Sequence, residues 1–164
     1  MSLHSRRTVL LMLPLAVAAC GFTPVYAPGE TGAALRGNVL VDAPEDREGY
    51  VLVRELEHRL GRGNGNETFA LGVMLKISSD PLAVTATGET TRVGLVATAD
   101  YVLRRADDDT VILKGKVSDF TGYSYTGSTV ETLAAERDAR ARLMTLLAER
   151  ITTQLYSTPD LTAS

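Results

Sequence analysis

One cysteine, two histidines and no tryptophan occur among 164 residues, and each scarcity closes a class of explanation. A lone cysteine cannot form a disulfide within the chain, so the fold must hold without a covalent staple. Of the histidines, His4 lies in the apolar-leader region and His58 between Glu57 and Arg59 in a helical stretch. No second His or Cys stands beside His58 to share a metal, and a solvated helix position is the simpler account. Seventeen basic residues face twenty acidic ones. No cationic excess is available to displace counterions, so nucleic acid is an unsuitable partner. No apolar run reaches the ~18 residues of a membrane-spanning helix.

Phosphate and metal loops are missing as well. Gly61-Arg-Gly-Asn-Gly-Asn66 is glycine-rich but has no Gly-Lys-Ser/Thr, and it follows a helix and precedes a strand, the reverse of a phosphate cradle. Asp107-Asp108-Asp109 lacks the spaced ligands and closing Glu of a calcium loop and reads as a hairpin tip. With no nucleophile–base pair in view, the chain is expected to be non-enzymatic and to need no cofactor.

What is present begins at the N-terminus. Arg6-Arg7 precedes an apolar or small stretch from Val9 to Ala19, too short to cross a bilayer and the right length for a secretory signal. Val17-Ala18-Ala19-Cys20 sets two small residues directly before the cysteine. This resembles the lipobox of bacterial lipoproteins, in which the Cys becomes the first mature residue and carries acyl chains. Residues 1–19 are thus expected to be removed and Cys20 lipidated. Each buried methylene contributes about 0.8 kcal/mol, so two or more chains hold a protein stably on a membrane it does not cross. Ser5-Arg6-Arg7 also resembles a twin-arginine export signal, though the residues after it match less well. Losing Arg6 and Arg7 leaves fifteen basic and twenty acidic residues, a net charge of −5.

The remainder is the size of one domain. Residues 20–37 hold Pro24, Pro28 and four glycines without periodicity, and are expected to be a lipidated N-terminus and tether. Phe22, Val25 and Tyr26 are apolar for a pure linker. A single domain is expected over 38–158, with a short tail at 159–164. Val39 to Val41 reads as a strand, and Asp42 to Asp46 supplies helix-start signals. Leu52, Val53, Leu56 and Leu60 recur at helical spacing, and Gly61 is placed to end that helix. Phe69 to Ile77, Val93 to Leu103 and Val111 to Val117 alternate with period two, as strands with one face on a core do. A turn at Asp107–Asp109, with residue 106 facing 110, sets Tyr101 opposite Gly115 and Asp100 opposite Lys116. Ser128-Thr-Val-Glu131 is a capping-box pattern. It opens a long helix whose expected apolar stripe runs through Val130, Leu133, Ala134, Arg137, Ala141, Met144, Leu147, Ile151 and Leu155. One stripe per helix and one apolar face per strand predict an α+β two-layer sandwich, two helices on one face of a four-stranded mixed sheet.

The same alternation sends Lys76, Arg92, Arg104, Lys114 and Lys116 to the other sheet face, with Met74, Val96, Val102 and Ile112. Five cations beside apolar side chains suit an anionic amphiphile. A merely solvated face, with Asp100 neutralising Lys116, is the competing reading, and contact with a partner's wall a third.

Cys20-Gly-Phe-Thr-Pro-Val-Tyr26, Thr91-Arg-Val-Gly-Leu-Val-Ala-Thr-Ala-Asp-Tyr101 and Ala134-Ala-Glu-Arg-Asp-Ala-Arg140 together resemble the lipopolysaccharide-assembly lipoprotein family LptE, in its alphaproteobacterial form. The resemblance implies two helices packed on a four-stranded sheet. It also implies lipid attachment on the periplasmic side of the outer membrane, a plugging and assembly role in the LptD β-barrel, and binding of lipopolysaccharide on its way to the surface. A lipid-anchored, non-enzymatic accessory of another envelope complex is the alternative.

Overall fold

The computed structural model describes residues 31–158. Cys20, the leader, the first part of the expected tether and the tail from Pro159 lie outside the described residues. A short helix, α1 (Thr31–Leu35), leads into strand β1 (Val39–Val41), and helix α2 (Arg47–Leu60) follows. Three long strands, β2 (Phe69–Val84), β3 (Thr90–Arg105) and β4 (Val111–Ser124), form a meander, and helix α3 (Thr129–Tyr156) closes the chain. The sheet order is β1-β2-β3-β4, with β1 parallel to β2 and the other pairs antiparallel. It is the expected mixed sheet with both long helices on one face.

Local chemistry explains the helix ends. Asp46 caps α2, its carboxylate accepting from the Gly49 N–H at 2.6 Å, and Gly61 ends it at φ 84°. There the absence of a Cβ makes the left-handed turn cheap. Ser128 and Glu131 form a complete capping box at the start of α3. The Ser128 N–H, donating to the Glu131 carboxylate at 2.8 Å, holds that carboxyl below its ordinary pKa.

The core lies between helices and sheet. Leu52, Leu56 and Leu60 of α2 meet Leu143, Met144, Leu147, Ile151 and Leu155 of α3 above Leu71, Leu95 and Leu103, all essentially without solvent exposure. Tyr101 lies over Gly115 as the pairing requires. A Cβ at 115 would stand 2.3 Å from the tyrosine hydroxyl, which donates to Gln154 Oε1 at 2.6 Å. No buried side-chain N or O atom lacks a hydrogen-bond partner among the described residues.

Four details depart from expectation. Residues 31–35 are helical, with Leu35 fully buried, and Thr31 Oγ1 donates to the Thr158 carbonyl at 2.9 Å. That stretch is part of the packed domain, not extended tether. The strands outrun their apolar signals: β2 continues to Val84 through Pro81, tolerated because β1 pairs only with residues 69–71 and leaves the rest of β2 as an edge. The first third of α3 does not follow the expected stripe. Val130 is 78% and Leu133 44% exposed, Ala134 and Arg137 are exposed too, and the buried face begins at Ala139. The phase set by Leu143, Leu147 and Ile151, projected backwards, turns those residues away from the sheet. Finally, Leu103 pairs with Leu113 but Arg104 with Val111, so Ile112 is the extra residue of a bulge. Residue 106 therefore does not simply face 110.

Candidate functional site

Strand alternation fixes which side chains share the uncovered face, and all five expected cations come from its even positions. They do not gather into one cluster. Arg92 and Arg104 are twelve residues apart on β3, about 40 Å at ~3.3 Å per residue. Arg92 pairs with Ser124 near the Thr85–Glu89 turn, whereas Arg104 lies beside Asp109 at the opposite end.

Arg104 is occupied. Its guanidinium donates to both oxygens of Asp42 at 2.9 and 2.8 Å and reaches Asp109 at 3.0 Å. Gly72 leaves room for this clasp, since a Cβ there would stand 3.0 Å from an Asp42 oxygen. Asp42 was expected among the helix-start residues, but it joins β1 to β3 and leaves capping to Asp46. Lys116 pairs with Asp100 at 3.1 Å across the strands, as the register predicts. Lys76, Arg92 and Lys114 are exposed and make no ion pair among the described residues. Lys114 and Lys116 are two residues apart on β4, and Lys76, on the rung of Ser118, lies two strands away, about 10 Å across and about 13 Å along the strands from Lys114. Among the described residues the uncompensated cations of the face are therefore Lys76, Lys114 and the distant Arg92, and Lys116 lies between the two lysines along the strands.

The apolar neighbours need one correction. Met74 is 65% and Val96 42% exposed, with Val102 half-buried. Ile112, expected outward, packs against the core, while Val111, expected inward, is 47% exposed. The bulge is the reason, because one extra residue reverses the faces beyond it. Two outward apolar residues lay beyond the expected strand limits, Phe120 at 75% and Leu82 at 64% exposure. Phe120 was legible, since continuing the period of Lys114 and Lys116 by four residues reaches it. Leu82 was not, because Ser78-Ser79-Asp80-Pro81 reads as a turn.

The helix-covered side holds one ion pair worth noting. Asp119 points inward from edge strand β4 to Arg150 of α3, its side chain only 10% exposed. Burial pushes its pKa up, but the Arg150 hydrogen bond and the Phe120 N–H outweigh that and leave it below the usual carboxylate range. An inward charge on an edge strand also discourages pairing with another chain.

His58 is exposed on α2, and no group of three His, Cys, Asp or Glu side chains that could hold a metal occurs among the described residues. In the glycine-rich loop, the Glu67 carboxylate accepts from the Gly65 N–H at 2.7 Å, so that donor is already used. No helix among the described residues is long and apolar enough to cross a membrane.

Fold and face together define a class: a small α+β domain with helices on one side of its sheet and an amphipathic open face on the other. Within that class, the LptE lipopolysaccharide-assembly family model matches residues 37–155, and the chain belongs to that family. Solved structures share the fold. A candidate lipoprotein from Caulobacter crescentus CB15 superposes with a TM-score of 0.62 at 21% identity, covering 77% of this chain and 93% of that one. Rare lipoprotein B from Shewanella oneidensis gives 0.53 at 10% identity, covering 73% and 92%. A minor lipoprotein from Acinetobacter baumannii gives 0.52 at 20%, covering 73% and 88%. No curated protein sequence matches.

Proposed function

We propose that this chain is a lipid-anchored outer-membrane protein, facing the periplasm, that acts with the LptD β-barrel as plug and assembly partner in delivering lipopolysaccharide to the cell surface. Membership of the lipopolysaccharide-assembly family over residues 37–155 carries the reading. Cys20 is the attachment point. The role is binding and scaffolding, not catalysis.

The open sheet face is the lipopolysaccharide contact in this reading. Lys76, Lys114 and Lys116 meet phosphates, their ammonium groups acting as charge-assisted donors. Arg104 holds its neighbourhood in shape through Asp42 and Asp109, and Arg92 is too distant to act with the other cations. Charge reversal at Lys76 and Lys114 is the informative change, because neither has an ion-pair partner to lose among the described residues.

Affinity capture of the full-length protein from detergent-solubilised outer membranes tests the partnership. Co-purification of a large β-barrel protein is expected, and its absence would favour another envelope complex. Cys20→Ala should abolish incorporation of a labelled fatty acid. Continued labelling of that variant would refute anchoring at Cys20.

A further inference from the structure

The cations of the open face and its largest apolar cluster are offset along the strands. Toward the Asp107–Asp109 turn it carries Lys76, Lys114 and Lys116, with Met74 65% exposed and Val102 half-buried among them. Toward the Thr85–Glu89 turn it carries Leu82, Val96 and Phe120, each between 42% and 75% exposed. Val96 and Phe120 are direct cross-strand partners. Leu82 leaves the ladder at the β2 irregularity between Pro81 and Ala83 and lies across Gly94 and Gly122, which are partners on β3 and β4. A Cβ at Gly94 would stand 2.9 Å from the Leu82 side chain, and one at Gly122 would stand 3.7 Å from it. Paired glycines lower the sheet surface there, so Leu82 lies flat and Phe120 stands beside it with most of its ring in solvent. Among the described strand residues of this half, Asp80 is the one outward acidic residue and Arg92 the one basic residue. An exposed apolar cluster of this kind marks a binding surface.

Val96 lies two residues from Thr98, the partner of Lys76, and four from Asp100, the partner of Lys116. At ~3.3 Å per residue the cations begin about 7 to 13 Å from the apolar cluster. The cations thus lie to one side of this cluster along the strands, within the dimensions of a single amphiphile. A protein wall packed on this face would have no need of that order.

We propose that Leu82, Val96 and Phe120 form an acyl-chain subsite, so that lipopolysaccharide lies along the strands with its phosphates over Lys76, Lys114 and Lys116. The headgroup then points to the end of the domain where Thr31 enters, and the acyl chains point to the Thr85–Glu89 turn. This orientation rests on the lipopolysaccharide-binding reading of the face, and the two can fail separately.

The test measures binding of intact and of chemically deacylated lipopolysaccharide to the full lipidated protein in phosphatidylcholine nanodiscs. Leu82→Ser with Phe120→Ser should weaken intact lipopolysaccharide about tenfold and leave the deacylated form unchanged. Lys76→Glu with Lys114→Glu should weaken both in a salt-sensitive way. A serine pair that binds the intact molecule like the parent, or loses both forms equally, overturns the acyl subsite while the charge-reversal result upholds the face. If the charge reversal also changes nothing, the underlying reading falls with it. Equal competition by phosphatidylglycerol would overturn lipopolysaccharide as the occupant. Independently of how the serine pair folds, a photoreactive phenylalanine analogue at position 120 should cross-link to intact lipopolysaccharide in cells. Cross-linking there to a barrel protein alone would assign the patch to that partner.

Discussion

The two faces of strands β2 to β4 are made from alternate residues of the same segments, yet they obey different constraints. The covered face tolerates almost nothing: Leu71, Leu95, Ala97, Ala99 and Leu103 have no solvent exposure, and Tyr101 fits only because residue 115 has no side chain. The open face mixes Lys, Asp, Thr, Ser and large apolar residues, with Met74 and Phe120 mostly in water. Packing therefore dictates identity on one side, whereas on the other the fold would accept many sequences. What stands on the open side is better explained by what it meets.

Substitutions can break or sharpen that contrast. Leu147→Asp should leave no cooperatively folding protein, because it buries an unpaired charge among leucines. Leu147→Ala should lose about 2–5 kcal/mol by denaturant unfolding, from lost transfer energy plus a cavity. A loss under about 0.5 kcal/mol, the size of a surface effect, would mean the helix face is misassigned. Gly115→Val should cost about 1–3 kcal/mol by overpacking and displace Tyr101 from Gln154, visible as a change in near-ultraviolet circular dichroism. Ser128→Ala should cost about 1 kcal/mol by removing one half of the capping box.

Acid should act through the covered face's exceptional charge. The folded pKa of Asp119 is lowered, so its contribution to stability is fully present above the ordinary carboxylate range and is lost as pH falls through the lowered value. Asp119→Asn should flatten the acid limb of stability against pH without altering its form near neutrality. Smallest of all, Phe120→Ser and Val130→Ala should each change stability by less than about 0.5 kcal/mol. A large loss at Phe120 would make the open face a structural surface and dissolve the distinction.

The covered face was the more legible of the two. Periodicity found each sheet strand, the Tyr101–Gly115 and Asp100–Lys116 pairings, both helix starts and the cap at Gly61, because one repeating constraint acts over many residues there. It failed where a single residue changes the phase. The bulge at Ile112 reversed Ile112 and Val111, and α3 lost its stripe over Val130 to Arg137, because the phase set by Leu143, Leu147 and Ile151 turns those stripe residues away from the sheet. Helix α1 was hidden because five residues carry too little pattern against flanking glycines. On the open face the cations were placed on the correct side, but their separation was not, since alternation gives the face and says nothing of distance along it. Nor could it show that Asp42 reaches Arg104, a contact between residues far apart in the chain.

The hydrogen bond from Thr31 to Thr158 has a practical corollary. It brings the first and last described residues together at one end, about 50 Å by strand length from the Thr85–Glu89 turn. A fluorescent or affinity label placed at Thr158 would ride at that end, poorly placed to report on events at the far tip. The same label inserted between Thr87 and Gly88, where the turn is exposed and Gly88 already adopts a left-handed conformation, would sit a full molecule's length away. Paired with a second label near Thr158, it would turn the long axis of the domain into a ruler for its orientation in the envelope.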